Sequence, residues 1–466
     1  MGRWEERSGG EVARHEEQRG RREGERPAAE KEKLGVLLVG AGGAVASTFM
    51  AGVELIRRGL GEPVGSISQL GRLWVEEQKE GESGSSSSRP IKELLPLAGM
   101  DKLVFGGWDI FGEDCYEAAV GAGVLSKEHL GVVRDALREV ELYRGVFDGR
   151  FVSALRGDYT KEGEYGSLEE AVSLIREDIR SFRRKSGAKS LVMINCASTE
   201  AYVEGDEEVH ASLEGFERAL RERKSHPAIA PSMLYAYAAI QEGVPYANGT
   251  PSVGADAPAL IELAEHRGVA LCGKDFKSGQ TFLKSALAPA IKARMLGMEG
   301  WFSTNILGNR DGLVLEEPQN FKSKEITKRS VLDAILEPEL YCGLYGDLYH
   351  RVEINYYPPR GDAKEGWDNI DIFGWLGYPM QIKVNLLARD SILAAPMVLD
   401  LALFLELVQR EEGRGGVQSW LSFYFKSPMV REGAAEHDLF VQLLMLREKL
   451  RALAGLEPLC EPRALR

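Results

Sequence analysis

The chain predicts an α/β fold with a mostly parallel sheet, joined to a second α+β unit, and three observations carry that expectation. Short apolar runs at Leu34–Val39, Lys102–Phe105, Ser190–Asn195 and Val269–Cys272 alternate with helical patterns such as Ser167–Lys185 and Pro258–Glu265. That alternation builds parallel sheets. The first run feeds a tight glycine turn, Gly40 to Gly43, and a helix over Ala44–Arg58. Beyond Thr281 the pattern changes: a helix is expected over Leu283–Leu296, and Val352–Tyr357 and Gln381–Leu386 alternate as antiparallel strands do.

With 466 residues the chain exceeds one core, and two or three domains are expected. Residues 1–33 are dominated by Glu, Arg and Gly and read as a disordered tail. A sheet-bearing unit is expected over 34–281, an α+β unit over 282–393, and a helical segment over 394–466 that packs back on the first unit. Glu77–Arg89, with four consecutive serines, reads as an exposed loop.

Composition excludes several classes. A net charge of −13 argues against nucleic acid and anionic membranes as partners. An anionic substrate would therefore need a local cluster of cations. The five cysteines are scattered without a CxxC pair, which suggests buried free thiols in a reducing compartment. The longest apolar run, Ile392–Val408, contains Pro396, Asp400 and Glu406 and reads as a buried helix rather than a span. The polar N-terminus carries no signal-peptide pattern, so a cytoplasmic protein is expected. Seven histidines without HxH or HxxxH spacing disfavour a zinc-dependent aldol site, and the absence of GxSxG disfavours triad hydrolysis.

Four constellations carry chemistry. Gly40-x-Gly42-Gly43-x-x-Ala46 is close to the fingerprint that lets a backbone approach a pyrophosphate at a helix N-terminus, although glycine turns also serve packing. The usual acidic residue about twenty positions on is missing. Phe105–Asp109 supplies a replacement, a strand running into glycines and a carboxylate at Asp109. Asn195–Glu200 follows a strand and fits either a ligand crevice or a helix cap at Ser198. Ala247–Ser252 fits another polar strand-end loop or a plain turn.

The fourth constellation is a set of loops that place lysines beside carboxylates and glycines. Asp275–Thr281 and Leu307–Gly312 have neither helix nor strand periodicity. Lys324 and Lys328 lie four apart, so a helix would point both ammonium groups the same way, an arrangement tolerated best around an anion. Lys277, Lys364 and Lys426 lie in loops or at element ends, with Asp275, Asp311 and Asp390 in the same or adjacent segments. Such pairs can tune an ammonium for proton transfer.

These residues resemble the myo-inositol-1-phosphate synthase (inositol-3-phosphate synthase) family. Asp275–Thr281, Leu307–Gly312, Ser323–Lys328 and Phe425-Lys426-Ser427-Pro428 are specific to it, Phe105–Ile110 and Asn248–Pro251 add support, and the likeness runs from Val36 to about Pro428. The resemblance implies a modified Rossmann NAD-binding domain with an α+β oligomerisation domain, and a homotetramer. It also implies NAD-dependent cyclisation of glucose 6-phosphate to inositol 3-phosphate without net redox change, a step of inositol and phospholipid biosynthesis.

Matched position by position, the resemblance implies that Gly40, Gly42, Gly43, Ala44, Asp109, Ala197 and Asp311 contact NAD. Lys324 would assist proton removal from the C5 hydroxyl, and Lys364 would stabilise the enolate. Lys328 and Lys426 would polarise the C1 aldehyde and bind phosphate, with Asp275 and Asp390 orienting the lysines. Lys277, Ser278, Gly279, Gln280, Thr281, Asn309 and Ser323 would contact substrate. A monovalent or divalent cation is left open by the resemblance. A dehydrogenase that releases NADH and a catalytically silent NAD-binding relative are the competing readings.

Overall fold

The structure is a computed structural model that describes residues 32–77, 85–413 and 415–458, without the side chains at 77, 85, 86 and 325–330. The expected tail lies outside the described residues up to position 31, as does Cys460.

Among the described residues, strands form three sheets. The largest contains β1 (Leu34–Val39), β4 (Leu103–Asp109), β5 (Glu141–Arg144), β6 (Ser190–Asn195), β7 (Tyr246–Asn248), β8 (Ala270–Gly273) and β13 (Gly416–Val417), in the order β13-β8-β7-β6-β1-β4-β5. Every pairing in it is parallel. Strand order reverses between β1 and β6, which opens a crevice at their carboxyl ends. Alternation along β1 explains the two cores. Leu37 and Val39 join one apolar cluster with Leu191 and Met193, while Val36 and Leu38 join the other with Val192 and Ile194.

Local chemistry sets the helices. Ser167 Oγ accepts the Glu170 amide at 3.2 Å, and Gly187 ends the Leu168–Ser186 helix at φ 66°. The strand expected over Lys102–Phe105 runs on through two glycines to Asp109. A Cβ at Gly106 would lie 2.5 Å from the Phe182 ring, and one at Gly107 would lie 2.0 Å from the Leu38 oxygen. These glycines are therefore strand residues that admit close neighbours.

The second sheet contains β9 (Gly297–Leu307), β10 (Tyr349–Tyr356), β11 (Ala363–Phe373) and β12 (Pro379–Arg389), in the order β10-β9-β11-β12. The expectation for 352–357 is corrected here: β10 pairs parallel to β9, because the Pro318–Leu336 helix returns the chain to the same end. Strands β11 and β12 form an antiparallel hairpin. One face buries Trp301, Ile370 and Ile372 under helices. The other carries Phe302, Trp367 and Leu387, with Leu387 62% exposed.

Two further expectations are corrected. The serine run is not wholly loop: β3 (Ser85–Pro90) pairs antiparallel with β2 (Arg72–Glu77), since ladder bonds need only backbone groups. Cysteine is not uniformly buried either, as Cys342 is exposed while Cys115 and Cys272 are inside.

The apolar run near the C-terminus lies in the helix Asp390–Glu412, which is long and apolar enough to cross a membrane by length and composition. It is instead a core helix, with Val398–Val408 buried against the helix Ala44–Arg57 and β6. Its buried Asp400 accepts from Ser66 Oγ at 2.6 Å, Ile67 N at 2.7 Å, Ser68 N at 2.9 Å and the Tyr424 hydroxyl at 2.9 Å.

Candidate active site

A cavity of about 490 Å³ opens at the carboxyl ends of β1, β4 and β6 and extends to the second sheet. Its first wall is the glycine turn. Gly40 sits at φ 79°, and a Cβ there would lie 2.7 Å from the Ala197 Cα. The amides of Gly40 and Ala41 donate to the Trp108 carbonyl at 2.9 and 3.0 Å, which fixes the turn to β4. Asp109 completes it. One carboxylate oxygen accepts the Gly42 amide at 2.7 Å, and the other accepts Ile110 at 2.8 Å and Phe111 at 3.1 Å. Burial pushes the Asp109 carboxyl up, against the pull of these three amides.

This wall fits NAD. Gly40, Gly42 and Gly43 line the cavity without side chains just before the N-terminus of the Ala44–Arg57 helix, and a carboxylate ends the neighbouring strand where a ribose diol is held in such folds. The loop after β6 closes the same side. Asn195 Oδ1 accepts the Ala197 amide at 3.1 Å, and Thr199 Oγ1 donates to Asp311 at 3.2 Å. Ser198 caps no helix, so the crevice alternative stands there.

The second wall is ionic. Residues 274–277 lie antiparallel to 424–427, with Lys426 N donating to Asp275 O at 2.7 Å and Lys277 N to Tyr424 O at 2.8 Å. The rings of Phe276 and Phe425 stack at 6.3 Å. This ribbon holds Asp275 at φ 61°, in the left-handed region that aspartate tolerates. Lys324 Nζ and Lys426 Nζ both reach Asp275 Oδ1, at 3.1 and 2.9 Å. Lys364 Nζ lies 3.0 Å from Asp390 Oδ2. Three ammonium groups and two carboxylates thus meet in one cluster, all of them buried except the half-buried Asp390.

Electrostatics separates the roles of these groups. Burial would raise Asp275, but Lys324 and Lys426 outweigh it and hold the carboxyl at about 2. Asp390 is held well below the usual range by Lys364 and Lys426, again against burial. Burial would lower Lys324, yet Asp275, Asp311 and Asp390 keep it above its ordinary value. Lys426 goes the other way, down to about 8, because burial and two neighbouring ammonium groups exceed the carboxylates' help.

Of the residues singled out in the sequence, Gly40, Gly42, Gly43, Ala44, Asp109, Ala197, Asp311, Asp275, Ser278, Asn309, Lys324, Asp390 and Lys426 line the cavity. Lys364 joins through Asp390. The other expected substrate contacts turn elsewhere. Lys277 Nζ is buried against Gln442 Oε1 and the Phe423 ring. Gln280 Nε2 donates to Asp368 Oδ2 at 2.9 Å and to the Thr304 and Trp367 carbonyls. Ser323 Oγ donates to the Glu200 carbonyl at 3.1 Å. Gly279 caps the helix Gln280–Ala293, and Thr281 is buried in its first turn. Asn309 is also a cap, accepting the Gly312 amide at 3.1 Å. Lys328 lies in the Pro318–Leu336 helix, and its side chain is outside the described residues.

The sequence placed Glu200 in the Asn195–Glu200 crevice candidate but gave it no role of its own. Burial pushes its carboxyl up to about 7, and the Ser232 amide donates to it at 2.9 Å. The available signal was Pro231 starting a helix whose free amides invite a carboxylate. Among the described residues no group of three His, Cys, Asp or Glu side chains is placed to hold a metal ion.

The sequence model described as Myo-inositol-1-phosphate synthase matches residues 34–451. The chain belongs to the myo-inositol-1-phosphate synthase family. It is 50% identical over 424 residues to inositol-3-phosphate synthase 1 of Bacteroides thetaiotaomicron, covering 91% of this chain and 96% of that protein. It is 33% identical to the inositol-3-phosphate synthase of Drosophila melanogaster, over 92% of this chain and 79% of the relative. Among solved structures, the inositol-3-phosphate synthase of Caenorhabditis elegans superposes with TM-score 0.82 at 29% identity, over 91% of this chain and 86% of that one. The NAD-binding α/β fold of the family accounts for the glycine turn.

Proposed function

We propose that this chain is an inositol-3-phosphate synthase that cyclises glucose 6-phosphate with NAD held at the Gly40–Ala44 turn. The observation that carries this reading is the single oxygen Asp275 Oδ1, which holds both Lys324 and Lys426 in the cavity that the glycine turn also lines. Bound NAD supplies the hydride acceptor for C5 and gives the hydride back, so the overall reaction is redox-neutral.

The chain's own residues move protons and stabilise charge. Of the two ammonium groups on Asp275, Lys426 gives up its proton more readily than Lys324. In its neutral form Lys426 accepts the proton of the C5 hydroxyl and becomes the ammonium that Asp275 stabilises, and Lys324 is the standing cation that stabilises the oxygen developing at C5. The resemblance alone would give proton removal to Lys324. Lys364, oriented by Asp390, stabilises the enolate that forms next to the oxidised carbon. A preorganised donor of this kind in a dry site is worth roughly 3–4 kcal/mol. Holding both ends of one sugar in the cavity makes carbon–carbon closure an oriented unimolecular step.

Assembly belongs to the same proposal. A homotetramer built through the second sheet is supported by the solvent-facing Trp367 and Leu387 and by the unpaired outer edge of β12. The division into units over 34–281, 282–393 and 394–466 is likewise a reading, supported by the separate apolar clusters of the two sheets. A cytoplasmic location is supported by the free thiols of Cys115, Cys196 and Cys272. Incubation with glucose 6-phosphate and NAD, followed by phosphorus NMR and absorbance, tests the reaction. An inositol phosphate without accumulating NADH is expected, and stoichiometric NADH would replace this reading with a dehydrogenase.

A further inference from the structure

Asn320 lies one helical turn before Lys324, on the same face of the Pro318–Leu336 helix, and is 2% exposed. It does not line the cavity. Its amide nitrogen donates twice, to the Phe151 carbonyl at 2.9 Å and the Thr199 carbonyl at 2.8 Å. Phe151 and Thr199 belong to different segments, which the Ala201 amide ties together by donating to Phe151 O at 2.7 Å. Two flanking contacts repeat the grip. Tyr202 N donates to Gln319 O at 3.0 Å, and Ser323 Oγ donates to Glu200 O at 3.1 Å.

The loop over 199–202 is thus bonded to the helix start at Thr199, Glu200 and Tyr202, and the same loop lines the cofactor side of the cavity through Thr199 and Glu200. A side chain with two N–H donors on one atom is what two converging carbonyls require. Aspartate offers at most one donor and leucine none.

We infer that Asn320 is a positioning residue that sets Lys324 against the cofactor side of the cavity. Lys324 reaches Asp275 from the helix, whereas Lys426 reaches the same oxygen from the ribbon that carries Asp275. The helix can therefore shift without moving Lys426. Asn320 is the fixed point that prevents this shift, and a displacement of about 1 Å at a reacting group costs on the order of 100-fold in rate.

The inference rests on the proposed reaction, and the experiment separates the two. Full-length wild type, Asn320→Leu and Asn320→Asp are compared for NAD binding by fluorescence, for kcat and KM, and for the isotope effect with glucose 6-phosphate deuterated at C5. For Asn320→Leu, kcat should fall on the order of 100-fold. NAD affinity and KM should stay within about threefold, and the isotope effect should rise as hydride transfer becomes limiting. Relative to wild type at the same pH, Asn320→Asp should regain activity as pH falls, because a protonated carboxyl restores one donor. Should Asn320→Leu fail to fold, Ser323→Ala removes one flanking bond and should lower kcat about tenfold.

A folded Asn320→Leu with wild-type kcat, or a loss confined to NAD binding, would overturn the inference. If Asn320→Leu does not fold, a single Ser323→Ala variant with wild-type kcat would do the same. Wild type that makes no inositol phosphate defeats the reaction itself and the inference with it. Active wild type beside an equally active Asn320→Leu defeats this inference alone.

Discussion

Lys324 lies 3.1 Å from Asp275 although 49 positions separate them in sequence, and this contact joins the second half of the chain to the nucleotide crevice. Asp275 is buried and holds Lys426 on the same oxygen. One carboxylate therefore balances two ammonium groups, and its removal should be felt in both stability and chemistry.

Asp275→Asn should destabilise the protein by about 3–5 kcal/mol, the usual cost of removing one partner from a buried ionic group. Denaturant unfolding measures this, and an unchanged midpoint would contradict it. The sign with pH follows from the depressed carboxyl. Its folded pKa of about 2 lies below the ordinary 3.8, so its contribution is complete above 3.8 and is lost as pH falls toward 2. The variant should lack this share of the stability change in that window, Asp390 keeping its own.

The rate should rise with pH up to about 8, because Lys426 accepts a proton only when neutral. Lys426→Arg keeps the charge but stays protonated, so the rising limb should disappear along with most activity. A wild-type profile that is flat between pH 6 and pH 9 would instead assign the base to another group.

Gly40→Ala tests the cofactor cradle. The position has φ 79°, and an added Cβ would lie 2.7 Å from the Ala197 backbone. Forcing alanine there should cost about 1–3 kcal/mol. NAD titration should show at least tenfold weaker binding, since the turn must open to admit the methyl. Wild-type affinity would mean that the dinucleotide avoids this turn.

Trp367→Glu tests assembly. Trp367 is 38% exposed on the open face of the second sheet and packs against Phe302 at 6.2 Å. A carboxylate buried between copies without a partner is strongly disfavoured. Sedimentation should show smaller species for the variant and a tetramer for wild type. An unchanged tetramer would place the contact on another surface.

Much of this protein is local. The runs Leu34–Val39 and Ser190–Asn195 become β1 and β6 with the expected bounds, because a parallel strand buried on both faces is a continuous apolar run. Ser167 and Gly187 mark a helix's ends because their side chain or conformational freedom satisfies terminal backbone groups. The family motifs brought thirteen of their residues to one cavity by way of these elements.

Other outcomes depended on partners that sequence spacing does not specify. Lys277 and Ser278 are adjacent, yet one turns to Gln442 and the other to the cavity. Gln280 spends its donors on β9 and β11. The serine-rich segment became a strand because β2 supplied a ladder. Most of all, composition fixed the number and kind of charges, but only tertiary packing decided that Lys324 stays cationic while Lys426 falls to about 8. Both are buried beside one oxygen, and the difference comes from which further charges the fold places next to each.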